Sequence, residues 1–225
     1  MAMSALDVQQ QLSTLSVCVI ADAMAKLQLQ SHLVNVQLVS SSVSSSSFVA
    51  TSICGPAYTV QVVPITGAPI VPKQPFHYVD KTGAGQVIVI SAPTGSTSGV
   101  FGGLLATAAK ARGAVAVVTD GRVRDVQELN ALGFPAFSIG TSAHGQQGRT
   151  VVADVNCPIV VAGCIVRPRD IIRGDINGVV VVPVEHAAQV AAMAARIEQQ
   201  DEKVAKAVEQ GAGLHESFKR FRSKL

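Results

Sequence analysis

A chain of 225 residues with 48% hydrophobic content suffices for one well-buried domain and is short for two. It contains no Trp and only 4% aromatics, so it lacks the stacking platforms of single-strand nucleic-acid binders. Four of its basic residues, Lys219, Arg220, Arg222 and Lys224, crowd the last seven positions; the rest, 14 basic against 15 acidic, offers no broad positive face to a nucleic-acid duplex.

Residues 5–29 carry Leu12, Leu15, Val19, Ala23 and Leu27 at helical spacing, with Ser13 and Ser16 available as caps, which predicts one or two helices. SSSVSSSS at 40–47 cannot pack a core and reads as a surface loop inserted in a single domain spanning 1–225. From Phe48 the pattern turns to short β-branched runs broken by Gly and Pro, and FVATSI, YTVQVV, QVIVIS, AVAVVT, AFSIG, TVVADV, PIVVAGCIV and GVVVVP are predicted strands. Helices are predicted over 100–112 and 125–131. A long Ala-rich helix from about Glu185 to Gln210 follows, and then a basic tail at 218–225. VIVI and VAVV are apolar on both faces, as expected of strands covered by helices in an α/β fold.

The tail ends in Ser223-Lys224-Leu225, the carboxy-terminal address read by a peroxisomal import receptor, with the basic FKRFR just upstream. No secretory leader and no apolar run of membrane-spanning length occurs, so the expectation is a soluble protein with no membrane partner, peroxisomal or otherwise cytoplasmic. Cys18, Cys54, Cys157 and Cys164 lack C-x-x-C spacing and read as reduced, mostly buried thiols. His32, His77, His144, His186 and His215 lack metal-ligand spacing.

Two segments carry chemistry. The strand around Val87 to Ile90 leads through SAPTGSTSGVFGG into the helix of Leu104 and Leu105; a helix start after a Gly-rich loop offers free N–H groups and a positive dipole end to a small anion. Taken alone, Gly99, Gly102 and Gly103 equally permit tight turning and close packing. The next strand, AVAVVTD, opens into Arg122-Val123-Arg124-Asp125-Val126-Gln127-Glu128. Asp125 and Glu128, three apart on a helix, share a face and suit magnesium or manganese; the same pair is also a capping box. Successive strand ends would set Gly102 to Leu105 beside Arg124, Asp125 and Glu128 at one sheet margin, where open α/β sheets bind ligands. A guanidinium recognises a carboxylate in a fork, and a neighbouring cation chelates the adjacent keto oxygen, which together describe a pocket for a small 2-oxo acid.

These residues resemble the RraA-like family, which includes metal-dependent 4-hydroxy-4-methyl-2-oxoglutarate aldolases. The resemblance covers Gly55-Pro56-Ala57-x-Thr59-Val60, GGLLATAAKARG, TDGRVRDVQEL with LGFPAF, and Gly174-Asp175-x-x-Gly178-Val179. Gly103, twenty residues, Arg124-Asp125, two more and Glu128 is similar to the G-x20-R-D-x2-E/D pattern of the yeast-like branch, whereas bacterial aldolases carry Asp at the position of Gly103. The resemblance implies an α/β fold, an RraA-like mixed-sheet domain of swivelling ββα layers with N- and C-terminal helices, assembled as a homotrimer or hexamer. It implies that the N–H groups of Gly102, Gly103, Leu104 and Leu105 and the side chain of Arg124 bind pyruvate, that Asp125 contacts Mg2+ or Mn2+, and that Glu128 takes over part of the missing Asp's role. Arg124 and Asp125 are then the catalytic pair of a pyruvate-forming lyase that cleaves such aldols, decarboxylates oxaloacetate, or both. The rival class is a non-catalytic regulator of the ribonuclease-inhibitor type, which predicts no metal requirement.

Overall fold

The computed structural model describes residues 4–30, 32–40, 51–66 and 75–222. The import tripeptide, Ser41 to Ser47 of the Ser-rich segment and the first three residues of FVATSI lie outside them.

Helices α1 (Ala5–Thr14) and α2 (Val17–Lys26) begin at Ser4 and Ser16, whose hydroxyls accept N–H groups of the first turns of the two helices. Ser13 caps nothing; its hydroxyl donates to the Gln10 carbonyl. Strand β1 (Gln37–Ser40) follows, and its last residue, Ser40, expected in an exposed loop, is buried with its hydroxyl on Phe134 O at 3.2 Å. The long β2 (Ile53–Pro64) is followed by β3 (Val87–Ser91), β4 (Gly99–Phe101), α3 (Gly103–Ala111), β5 (Ala116–Thr119), β6 (Arg122–Val123), α4 (Val126–Leu132) and β7 (Ala136–Ser138). Then come β8 (Thr150–Val155), β9 (Ile159–Val161), β10 (Cys164–Val166), β11 (Ile171–Asp175), β12 (Gly178–Val182), α5 (Ala187–Glu209) and α6 (Leu214–Arg222).

The main sheet runs β1-β7-β5-β3-β2-β11-β12, with β8 on the far half of β2. Neighbours β2, β3, β5 and β7 are parallel, and β1, β8, β11 and β12 pair antiparallel, so the sheet is mixed. Its strands alternate as the pleat requires. Ile88 and Ile90 face a core shared with Phe101, Ala106, Leu129 and Phe134 beneath α3 and α4, while Val87 and Val89 face Ile159, Val161 and Val166. The second face is therefore covered by the β9–β10 hairpin and not by helices, and PIVVAGCIV is two strands about a turn with Ala162 at φ 48°. Among the described residues no helix is long and apolar enough to cross a membrane.

A third core joins Val180 and Val182 to α1, α2 and α5 and takes in Val190, Ala194 and Ile197; Val204 is also buried, while Val208 is 38% exposed. Two buried charges fix this helical layer. Positions 171, 173 and 175 of β11 point toward it, and Arg173 donates to the carbonyls of Leu15 (3.1 Å), Ile53 (3.2 Å) and Gly174 (2.7 Å), while Asp175 accepts the Val17 N–H at 2.9 Å. A cation thus meets the carbonyl of Leu15, just past α1, and an anion the first amide of α2, where it complements the helix dipole. The Gly174-Asp175 motif is here a structural joint. The thiols are less buried than expected: Cys164 is buried, Cys54 and Cys157 are half-buried and Cys18 is exposed. Burial pushes the Cys54 thiol up to about 11, against the pull of Arg173.

Replacing Arg173 by Met leaves buried carbonyls unsatisfied. Unfolding free energy in urea is expected to fall by about 3 kcal/mol, the scale of lost charge-assisted bonds plus stranded acceptors; a change within experimental error would contradict this assignment.

Candidate active site

Ile90 of β3 stands opposite Thr119 of β5, and beyond these ends the chain forms a second parallel ribbon in which β4 pairs with β6, Gly99 with Arg122 and Phe101 with Val123. The Arg124 N–H donates to Phe101 O at 2.9 Å. The segments entering α3 and α4 therefore emerge side by side. Gly102, Leu104, Leu105, Arg124, Asp125 and Glu128 line one cleft of about 440 Å³, with Gly103 buried at the start of α3.

Asp125 precedes α4 with φ 57° and ψ 42°, a left-handed conformation that costs an L-residue roughly 1–2 kcal/mol and that Asp tolerates better than most. Its side chain does not cap its own helix, so Asp125-x-x-Glu128 is no capping box. Oδ2 instead accepts the Gly103 N–H, the first amide of α3, at 3.2 Å. Arg124 Nε donates to the same carboxylate at 3.0 and 3.2 Å. All side-chain hydrogen bonds of Arg124 among the described residues run through Nε, which leaves both Nη groups for a ligand.

The glycines make room for these side chains. A Cβ on Gly102 would stand 2.8 Å from Arg124 Cγ and 2.7 Å from Asp125 Oδ2, and one on Gly103 would coincide with the carboxylate of Glu128. Gly99 and Gly145 complete the channel, with a Cβ on Gly145 falling 2.9 Å from Arg124 Nη1. Because Ala106 N–H is the first to reach back, to Gly102 O, the amides of Leu104 and Leu105 have no intrahelical partner, whereas that of Gly103 is already engaged.

Asp125 and Glu128 present oxygen donors to the same cleft. Among the described residues no group of three or more His, Cys, Asp or Glu is arranged to hold an ion. A two-carboxylate set fits Mg2+, which commonly keeps several waters and takes one or two carboxylates from the protein. Asp120, at the end of β5, serves elsewhere: its oxygens accept the N–H groups of Ala92 (2.8 Å) and Ala162 (2.9 Å), and burial raises its pKa despite those bonds. Gly145 and Gln146 also line the cleft and were not singled out from the sequence, since HGQQGR is a polar loop with no period or motif to mark it.

Residues 17–181 match the model of the RraA-like family, described as Aldolase/RraA. The chain belongs to this RraA-like family. A 4-hydroxy-4-methyl-2-oxoglutarate aldolase of Thermus thermophilus is 29% identical over 107 residues, 47% of this chain and 63% of that protein. An uncharacterised protein of Pseudomonas syringae pv. tomato has a crystal structure matching with a TM-score of 0.82 at 27% identity, over 96% of this chain and 99% of its own. RraAS2 of Streptomyces coelicolor, described as an unusual member of the RNase ES inhibitor RraA family, matches at 0.75 and 25% identity over 87% of this chain and 94% of its own. The alignments span less than two thirds of the curated relatives, from 27% to 64% of their lengths.

Gly103→Ala is expected to displace the exposed Glu128 side chain and to lower stability by about 1 kcal/mol or less, the helix preference of Ala offsetting part of the cost. Glu128→Ala should restore most of that loss when combined with it. Additive effects in this double-mutant cycle, read by urea unfolding, would place the Glu128 carboxylate elsewhere.

Proposed function

We propose that the protein is a divalent-metal-dependent lyase that releases pyruvate from small 2-oxo acids, by retro-aldol cleavage of 4-hydroxy-4-methyl-2-oxoglutarate-type substrates, decarboxylation of oxaloacetate, or both. The observation that carries this reading is the guanidinium of Arg124, held through Nε by Asp125 with both Nη groups turned loose beside the first turn of α3. Those two donors match the fork geometry of a carboxylate, and the helix start adds positive potential. Leu104 and Leu105 contribute amides at the same place. Mg2+ or Mn2+ bound at Asp125 and Glu128 would supply a Lewis acid for the keto oxygen. Both reactions break a C–C bond at C3 of the substrate and leave its electron pair on the pyruvate fragment as an enolate. One arrangement of positive charge serves both.

Assembly as a homotrimer or hexamer is part of this reading. The RraA relatives favour the alternative of a protein-binding regulator. A guanidinium paired to Asp125 through Nε, with both Nη groups unpartnered among the described residues, is unneeded for such binding, and the catalytic reading is preferred.

Pyruvate release from oxaloacetate should cease in excess chelator and return with magnesium; undiminished turnover without metal would remove the cation from the reaction. Asp125→Ala should abolish turnover, since it frees Arg124 and removes a ligand together. Arg124→Lys keeps charge but loses the fork, and KM should rise while kcat falls. Wild-type kinetics in that variant would take Arg124 out of the site.

A further inference from the structure

Gln146 stands immediately after Gly145, where a Cβ would fall 2.9 Å from Arg124 Nη1, a guanidinium nitrogen that Asp125 does not engage. Its carbonyl accepts the N–H groups of Arg149 (2.9 Å) and Thr150 (3.0 Å), and the loop it belongs to is tied to β4 by Gly99 N–H on His144 O at 2.8 Å. The backbone is thus fixed at the cleft wall. The side-chain amide is different: Nε2 is shielded from solvent and has no hydrogen-bond partner among the described residues, although the residue lines the cleft. A buried amide donor left unmatched is costly, and such a group is a candidate for a partner that arrives with a ligand.

We infer that Gln146 is a specificity residue whose amide donates to a second oxygen function of the substrate, beyond the carboxylate held by Arg124. This rests on the lyase reading and deepens it: the preferred substrates are 2-oxo acids with a carboxylate or hydroxyl on the fragment that departs, not simple 2-oxo monoacids. The terminal torsion of a Gln side chain is broad and roughly two-fold, so the amide turns toward the cleft without giving up a bond at nitrogen. A neutral donor suits the chemistry better than a second cation. When a carboxylate leaves as CO2 its charge must flow into the pyruvate fragment, and a Lys or Arg at that end would hold the charge where it starts. One neutral N–H orients the group and resists its departure only weakly.

The test uses the full-length protein with magnesium, and two ligands. Pyruvate, which lacks the distal group, is titrated by calorimetry, and oxaloacetate turnover is followed in parallel. For the near-isosteric Gln146→Met, KM for oxaloacetate should rise about ten-fold or more while kcat falls much less and pyruvate binds within two-fold of wild type. Gln146→Glu, with an acceptor in place of the donor, should raise KM further and again spare pyruvate. Equal weakening of pyruvate and oxaloacetate, or no effect on either, overturns the role of Gln146 alone. Failure of the wild-type protein to bind pyruvate overturns the inference together with the lyase reading beneath it.

Discussion

The cleft depends on one carboxylate serving two masters. Asp125 stands at the start of α4, yet its side chain reaches across to the first amide of α3 and to Arg124 Nε. By joining two helix starts that are 22 residues apart in the chain, this contact fixes their spacing and turns the guanidinium. A helix N-terminus attracts an anion wherever it occurs. Here one amide is already satisfied by a protein carboxylate, so the positive potential is partly compensated from within the chain and the amides of Leu104 and Leu105 point where a ligand would enter. The left-handed backbone at Asp125 is the local cost of that reach.

Nothing in the first turn of either helix could achieve this without the sheet behind it. Strands β3 and β5 are buried on both faces, and their ends are pinned again by the β4–β6 ribbon. Two rows of backbone bonds therefore set the positions of the helix starts before any side chain acts. Close approach does the rest: at Gly102 and Gly103 the missing Cβ atoms are the space that Arg124, Asp125 and Glu128 occupy. An Asp at position 103 and a Glu at 128 would compete for one volume. That gives a steric reason for a sequence with Gly at the first position to carry its second carboxylate one helical turn beyond Asp125.

Much of this was legible in the chain. The β-branched runs mark β3, β5, β8 and β12, and the Ala-rich period marks α5, because these elements each present a face or stripe that must be apolar. The elements that escaped have physical reasons. β11 carries Arg173-Gly174-Asp175, which breaks the apolar run because its polar side chains clamp the junction of α1 and α2. β4 and β6 are three and two residues long, too short for a period to show. α6 is so charged that it reads as tail, but it docks on α5 through Arg222 Nε and Asp201 at 2.7 Å. In the site, Arg124, Asp125 and Glu128 stood out because charges cluster just past the apolar run AVAVVTD. The choice between a capping box and a ligand pair could not be read from spacing, since both use the same interval; the Asp125 carboxylate, engaged by Gly103 N–H and Arg124 Nε, decides against the cap.

The loop from 140 to 149 shows how a polar segment with no pattern of its own becomes part of a site. Val123 N–H donates to Gly140 O and Ser142 N–H to Val123 O, so the loop is laid along β6 by main-chain bonds that any sequence of suitable turn residues could make. What is particular to this chain is the order Gly145-Gln146. The glycine leaves the space beside Arg124 Nη1 that a Cβ would enter, and the next residue lines the same cleft. A side chain at 145 would displace the Arg124 guanidinium, so the wall of the cleft and the position of its cation depend on the same missing Cβ.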